Sequence, residues 1–240
     1  MGETATIDLA TLLTAVEREG RTLLAVADRN PTARIEHCPD WDADGLVAHM
    51  AGVWLFMAAQ VEAASPDKST RPGDDDSTAA DRLSNLVTLL ASLDPEAPCW
   101  NWCEPEDRKV AWVIRRMAHE NAVHRWDAEN AAGKPQPIDA ELAHDGVAEI
   151  LDVAWRHQMR GPVTDFPTST LHLHRTDGDG EWLLSAQNDR LIVSHEHAKG
   201  DAAARGSASD LVLLVWGRRQ PTLEVFGDEA VLDAWLALSP

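Results

Sequence analysis

Residues 106–132 read EDRKVAWVIRRMAHENAVHRWDAENAA. Val110, Val113 and Met117 recur at helical spacings, the stripe that a helix turns toward a core. The same stripe continues through Glu120, His124 and Asp127. The inward face therefore changes from apolar to polar without changing register. A buried carboxylate or imidazole is costly unless it is hydrogen-bonded, paired or bound to a metal. Glu120 and His124 are one turn apart on one face, the arrangement by which a bundle helix offers two ligands to one ion.

Residues 42–64, DADGLVAHMAGVWLFMAAQVEAA, answer it. This too reads as a helix, with Leu46, His49, Val53 and Phe56 as its inward row. His49 is the polar member of that row. Packed side by side, the two helices can bring His49, Glu120 and His124 together. Two histidines and one carboxylate with an open position form the ligand set of a catalytic divalent metal, zinc first. The competing reading is a satisfied core histidine beside a hydrogen-bonded Glu–His contact. A zincin arrangement is excluded, because His119 and His124 are separated by about 140° around the helix.

The rest of the chain supplies the frame. Residues 7–29 read as a first helix with Leu9, Leu12, Leu13, Val16, Leu23 and Leu24 inward, ended by Asn30-Pro31. Residues 65–77, with two prolines, a glycine and the acidic run Asp74-Asp75-Asp76, read as a loop. Residues 78–93 read as a third helix, and 94–107 as an irregular segment containing Cys99-Trp100-Asn101-Trp102. Gly133-Lys134-Pro135-Gln136-Pro137 stops the long helix. A fifth helix runs from Asp139 to about Arg160, where Gly161-Pro162 ends it.

Beyond that point the periodicity becomes two. Residues 170–175, TLHLHR, and 181–185, EWLLS, flank the turn Asp177-Gly178-Asp179-Gly180 and read as a hairpin. Residues 190–196 form a third strand. A helix (207–218), a strand (222–226) and a last helix (228–238) follow. The expected fold is thus an up-and-down helical bundle over residues 1–160, then a small α+β domain over 161–240. His172-x-His174 and His195-x-His197 offer a rival metal cluster. Leu171 and Leu173 take the opposite strand face, so His172 and His174 are expected to face solvent.

Composition narrows the function. The 240 residues carry a net charge of −19 with 44% hydrophobic residues. Such an acidic surface repels phosphate backbones and anionic lipid, so neither nucleic acid nor membrane is an expected partner. No run of about 18 apolar residues is read, and no signal peptide: MGETATIDLA lacks a basic region followed by an apolar one. Three cysteines, Cys38, Cys99 and Cys103, fit a reducing cytoplasm rather than a disulfide framework. No phosphate loop, dinucleotide fingerprint or nucleophile elbow is present. No oligomeric state follows from these features.

Four stretches together resemble the mycothiol-dependent maleylpyruvate isomerase family. They are Cys38-Pro39-Asp40-Trp41 leading into Leu46-Val47-Ala48-His49; Glu120-x-x-x-His124-x-x-Asp127; Asp177 to Trp182; and Arg205-Gly206-Ser207 through Leu213 to Arg218. The resemblance implies a DinB-like metal-binding bundle and a C-terminal domain similar to sterol-carrier-type α+β folds. It implies zinc or another divalent metal on His49, Glu120 and His124, and mycothiol as thiol cosubstrate. In the family's isomerase the thiol adds to a cis enedioic acid, the bond rotates and the thiol leaves. Asp127 would orient a ligand, and Arg218, or its neighbour Arg219, would hold a substrate carboxylate. The implied function is a mycothiol-dependent isomerase or S-transferase acting on a small carboxylate. The alternatives are a non-catalytic small-molecule or lipid-binding protein with a structural metal, and metal-dependent hydrolysis of a thiol conjugate.

Overall fold

A computed structural model describes residues 7–70, 72–73, 76–156, 166–188 and 190–240. The expected end of the fifth helix near Arg160, the Gly161-Pro162 stop, and Asp74-Asp75 lie outside these residues. The chain divides into two compact units, Met1–Gln136 and Pro137–Pro240.

The first unit is a bundle of α1 (Leu9–Arg29), α2 (Ala43–Ala63), α3 (Ala79–Ser92) and α4 (Val110–Ala131). Three of these helices start at a side-chain cap. Asp8 accepts from Thr11 N, Asp42 accepts from Gly45 N, and Thr78 and Asp81 cap each other's backbone reciprocally. Helix α4 has no side-chain cap. Its first amides are satisfied instead by the proline-rich loop: Val110 N donates to Ala97 O and Ala111 N to Pro95 O. That loop thereby fixes where the long helix begins.

Helix α1 packs chiefly along α4, and α2 along α3 and α4. The α1–α4 seam is partly polar. Arg125 donates from Nε to Glu19 (2.7 Å) and from Nη1 to Glu129 (2.7 Å). Asn121 donates to Val16 O and accepts from Trp54 Nε1. Buried polar groups placed this way are satisfied, and they fix the register between helices.

Two expectations about α2 change. In α2 the deepest row is Leu46, Met50, Trp54, Met57 and Val61. His49, Val53 and Phe56 lie on its flank, half buried. Sequence spacing gives the angular period of a stripe but not its phase, and an almost wholly apolar helix leaves the phase open. The same helix, Ala43–Ala63, is long and apolar enough to cross a membrane by composition, where no such run was expected. It packs against α3 and α4, which accounts for its apolarity.

The second unit starts with α5 (Ala140–Glu149), continued by a π-helical turn, Ile150–Trp155. The sequence reading places this helix with the bundle and the boundary at residue 160. In the structure α5 packs against α6 (Ala208–Val215). Its apolar stripe specifies a partner surface, not which one. A five-stranded sheet follows in the order β3-β2-β1-β4-β5. The strands are β1 (Leu171–Arg175), β2 (Glu181–Gln187), β3 (Arg190–Ser194), β4 (Ala202–Gly206) and β5 (Glu224–Gly227), and α7 (Glu229–Leu236) closes the unit. Strand β4 pairs parallel to β1; the other pairings are antiparallel. Leu171 and Leu173 sit beside Leu184, Trp182, Ala202 and Ala204 on the buried face, toward α6 and α7. Strand β4 is absent from the sequence reading. Its alanines carry low strand propensity, and only its central place in the sheet makes it a strand.

Candidate metal centre

The middle of α4 is buried on nearly every side, so its polar residues must find partners inside the bundle. Glu120 and His124 lie on its inward face, and α2 brings His49 to the same point. His49 Nε2 is 3.6 Å from Glu120 Oε1, and His124 Nε2 is 3.5 Å from the same oxygen. One donor atom from each residue falls within 4.8 Å of the others. The competing reading of His49 as a core histidine is not what the geometry shows, for its side chain keeps 32% of its exposure.

The remaining polar atoms of the pair on α4 are engaged. Glu120 Oε2 accepts from Arg116 Nη2 at 2.5 Å, leaving Oε1 toward the histidines. His124 Nδ1 is 3.0 Å from Asp127 Oδ2, leaving Nε2 toward Glu120 and His49. An imidazole whose second nitrogen is held by a carboxylate has its tautomer and ring orientation set for metal binding. Burial alone would raise the Glu120 carboxyl. The Arg116 guanidinium and the two histidines outweigh it and hold Glu120 well below the ordinary carboxylate range. Burial alone would lower His124; hydrogen bonds to Asp127 and Glu120 outweigh it and raise His124 above its ordinary value. An ionised carboxylate and a basic, oriented imidazole are the donor chemistry a borderline dication requires.

The loop between α1 and α2 completes the wall. Ile35 N donates to Trp41 O and Trp41 N to Cys38 O, so this loop is a hydrogen-bonded turn that presents Trp41 inward. The Trp41 ring lies 4.6 Å from that of His49 and 6.5 Å from that of His124. Its other contacts are with the small cluster of Ile35, Leu46 and Ala128. Sequence reasoning gave no role to Trp41 or to Arg116. Arg116 was legible, since it stands one helical turn before Glu120. The contact of Trp41 depends on a loop path that no periodicity encodes.

The other candidates are placed as follows. Asp127 is 1% exposed and meets His124. Arg218 belongs to the second unit, where it is buried just after α6 with Nη1 donating to Trp216 O at 2.5 Å. Arg219 is exposed and pairs with Glu229 on α7 at 3.2 Å. Burial pushes the Cys99 thiol up to about 11, which removes it as a nucleophile at neutral pH. His172 is buried and His174 half buried, so neither simply faces solvent as expected.

Comparison with known proteins agrees with this architecture. Two structures superpose over 94% of this chain and 95% of their own, with a TM-score of 0.61 and 12% identity. They are a mycothiol-dependent maleylpyruvate isomerase and its variant with one histidine replaced by alanine. At that identity the match speaks for the fold. No curated protein sequence matches the chain. Residues 12–129 match the family model of the mycothiol maleylpyruvate isomerase N-terminal domain, and residues 141–234 match that of the MDMPI C-terminal domain. With both domains present in order, the chain belongs to the mycothiol maleylpyruvate isomerase family.

Proposed function

We propose that this protein is a divalent-metal enzyme, zinc first, that uses mycothiol as thiol cosubstrate, as an isomerase or S-transferase, on a small carboxylate-bearing substrate. His49, Glu120 and His124 would hold the metal. The observation that carries the reading is their convergence, with the outer atoms of Glu120 and His124 already held by Arg116 and Asp127. A bound dication would supply a Lewis acid that keeps a thiol deprotonated near neutral pH.

The chain's own groups do the rest. Asp127 holds the proton on His124 Nδ1 and so keeps Nε2 available; it is a positioning residue. Arg116 neutralises half of Glu120 and limits that side chain to one inward oxygen. Trp41 restrains the ring of His49, whose partial exposure leaves the site open to a ligand. Arg218, or its neighbour Arg219, is the proposed anchor for a substrate carboxylate on the strength of the family resemblance.

The test is mycothiol dependence. Zinc-loaded protein should convert a small cis enedioic acid only with mycothiol present. Cobalt-substituted protein should gain a sulfur-to-cobalt charge-transfer band on adding mycothiol, and Glu120→Gln should abolish it. An unchanged spectrum at saturating mycothiol overturns the thiol reading and leaves a binding protein with a structural metal.

A further inference from the structure

Strand β1 turns His172 and His174 to the sheet face opposite its leucines. The register of β1 with β2 sets His174 directly across from Glu181. His172 Nε2 is 2.5 Å from Glu181 Oε2, and His174 Nδ1 is 2.6 Å from Glu181 Oε1. A third imidazole arrives from the segment after β3: His197 Nδ1 is 3.0 Å from Glu181 Oε1. His195, which the sequence pairs with His197, is not part of the group.

The segment that carries His197 is fastened where it returns to β1. Asp201 accepts from Thr170 N and Thr170 Oγ1, and its own amide donates back to Thr170. At Gly200 a Cβ would lie 2.9 Å from His172 N and 2.6 Å from Ala202 O, so only glycine permits this approach. This return path lays the segment against β1 beside His172. His172 is 6% exposed although its strand face was expected to be open.

Three imidazoles around one carboxylate exceed what a hydrogen-bonded acid needs. An exposed His–Glu contact is too weak by itself to hold His197, whose side chain is 79% exposed. The ring centres of the three histidines are 5.6, 5.9 and 6.2 Å apart. Imidazoles on one tetrahedral zinc, bound at about 2.0–2.1 Å, place their centres roughly 5 Å apart. One donor atom from each of the four residues lies within 4.8 Å of the others.

We propose that His172, His174, His197 and Glu181 form a second divalent-metal site, for zinc or a neighbouring imidazole-seeking ion, which staples residues 195–201 across β1 and β2. Four protein donors complete a tetrahedron, so the site is structural. His172 and His174 bind through Nε2 and Nδ1 respectively, and His197 through Nδ1.

The experiment is zinc stoichiometry by equilibrium dialysis of chelator-stripped, full-length protein, followed by elemental analysis. It is run on a Glu120→Gln background, so that the bundle site does not contribute. One equivalent is expected there. The combined His174→Ala/His197→Ala change should lower its affinity at least 100-fold and abolish the rise in melting temperature on adding zinc. Both positions are at least partly exposed, so folding should persist, as circular dichroism would verify. Glu181→Gln preserves shape and should also lose the metal. No zinc on the Glu120→Gln background, or equal zinc with and without the two histidines, overturns the proposal.

Discussion

In the bundle, the carboxylate at the centre of the cluster is 8% exposed and backed by a buried arginine, and His124 is backed by a buried aspartate. In the sheet, Glu181 faces three imidazoles; no guanidinium contacts it among the described hydrogen bonds, and one of its histidines lies almost in solvent. The bundle cluster thus has three inward donors and a rigid outer layer. The sheet cluster has four donors and a connecting segment to fasten. On the proposed reading, this charge compensation would let the first cluster hold an ion with a position left open for a reacting ligand. The second has no such backing, and in the proposed site its fourth donor would fill the place where a ligand would otherwise sit.

The largest effect expected from this contrast is at Arg116. Replacing it in Arg116→Met leaves Glu120 buried without its cation, a loss of about 3–5 kcal/mol for a broken buried pair. Chemical denaturation of the metal-free protein would measure it, and zinc should restore part of the loss by replacing the missing positive charge. A change under about 1 kcal/mol would remove the distinction drawn between the two clusters.

Next comes pH. The raised His124 stabilises the metal-free fold fully below its unfolded value of about 6.5, and that contribution is lost as pH rises through the folded value. The depressed Glu120 acts at the other end: its contribution is present above about 4.3 and lost as pH falls through the folded value. Metal-free stability should therefore be greatest between about pH 4.5 and 6.5 as far as this pair decides it. Zinc affinity should run the opposite way, rising as His124 loses its proton. Denaturation of the stripped protein and zinc titration over the same pH range would show whether the two curves cross. Parallel curves would mean that His124 is not a ligand.

The smallest effect is expected at the exposed edge of the sheet cluster. Without metal, His197→Ala should change stability by no more than about 0.5 kcal/mol, as for other surface substitutions. With zinc present the same change should become visible as a lost rise in melting temperature. A large effect without metal would make His197 a packing residue.

The sequence carried the bundle site further than the sheet site, for a physical reason. Helical periodicity is local, so Glu120, His124 and Asp127 declare a shared face within a few residues. His49 then needs only one neighbouring helix, though its position on the flank of α2 was not legible. The sheet cluster depends on strand register, on the unrecognised β4, and on the return path of residues 195–201. None of these is local. His172 and His174 were read as solvent-facing because alternation shows which face a side chain takes, not what covers that face. The change from bundle to α+β unit was legible in the shift from helical to two-residue periodicity. The placement of α5 was not, because an apolar stripe fits more than one neighbour.

The ion pair that closes α1 onto α4 has a consequence in time. Glu19 and Arg125 are 106 residues apart in the chain. During synthesis α1 leaves the ribosome first and lacks its chief packing partner until α4 emerges, at about 5–20 residues per second. His49 is exposed to the cell for that interval with neither Glu120 nor His124 beside it. On the proposed reading, the three ligands would come together only after the fourth helix has docked, and the ion would be drawn from whatever metal the finished protein meets.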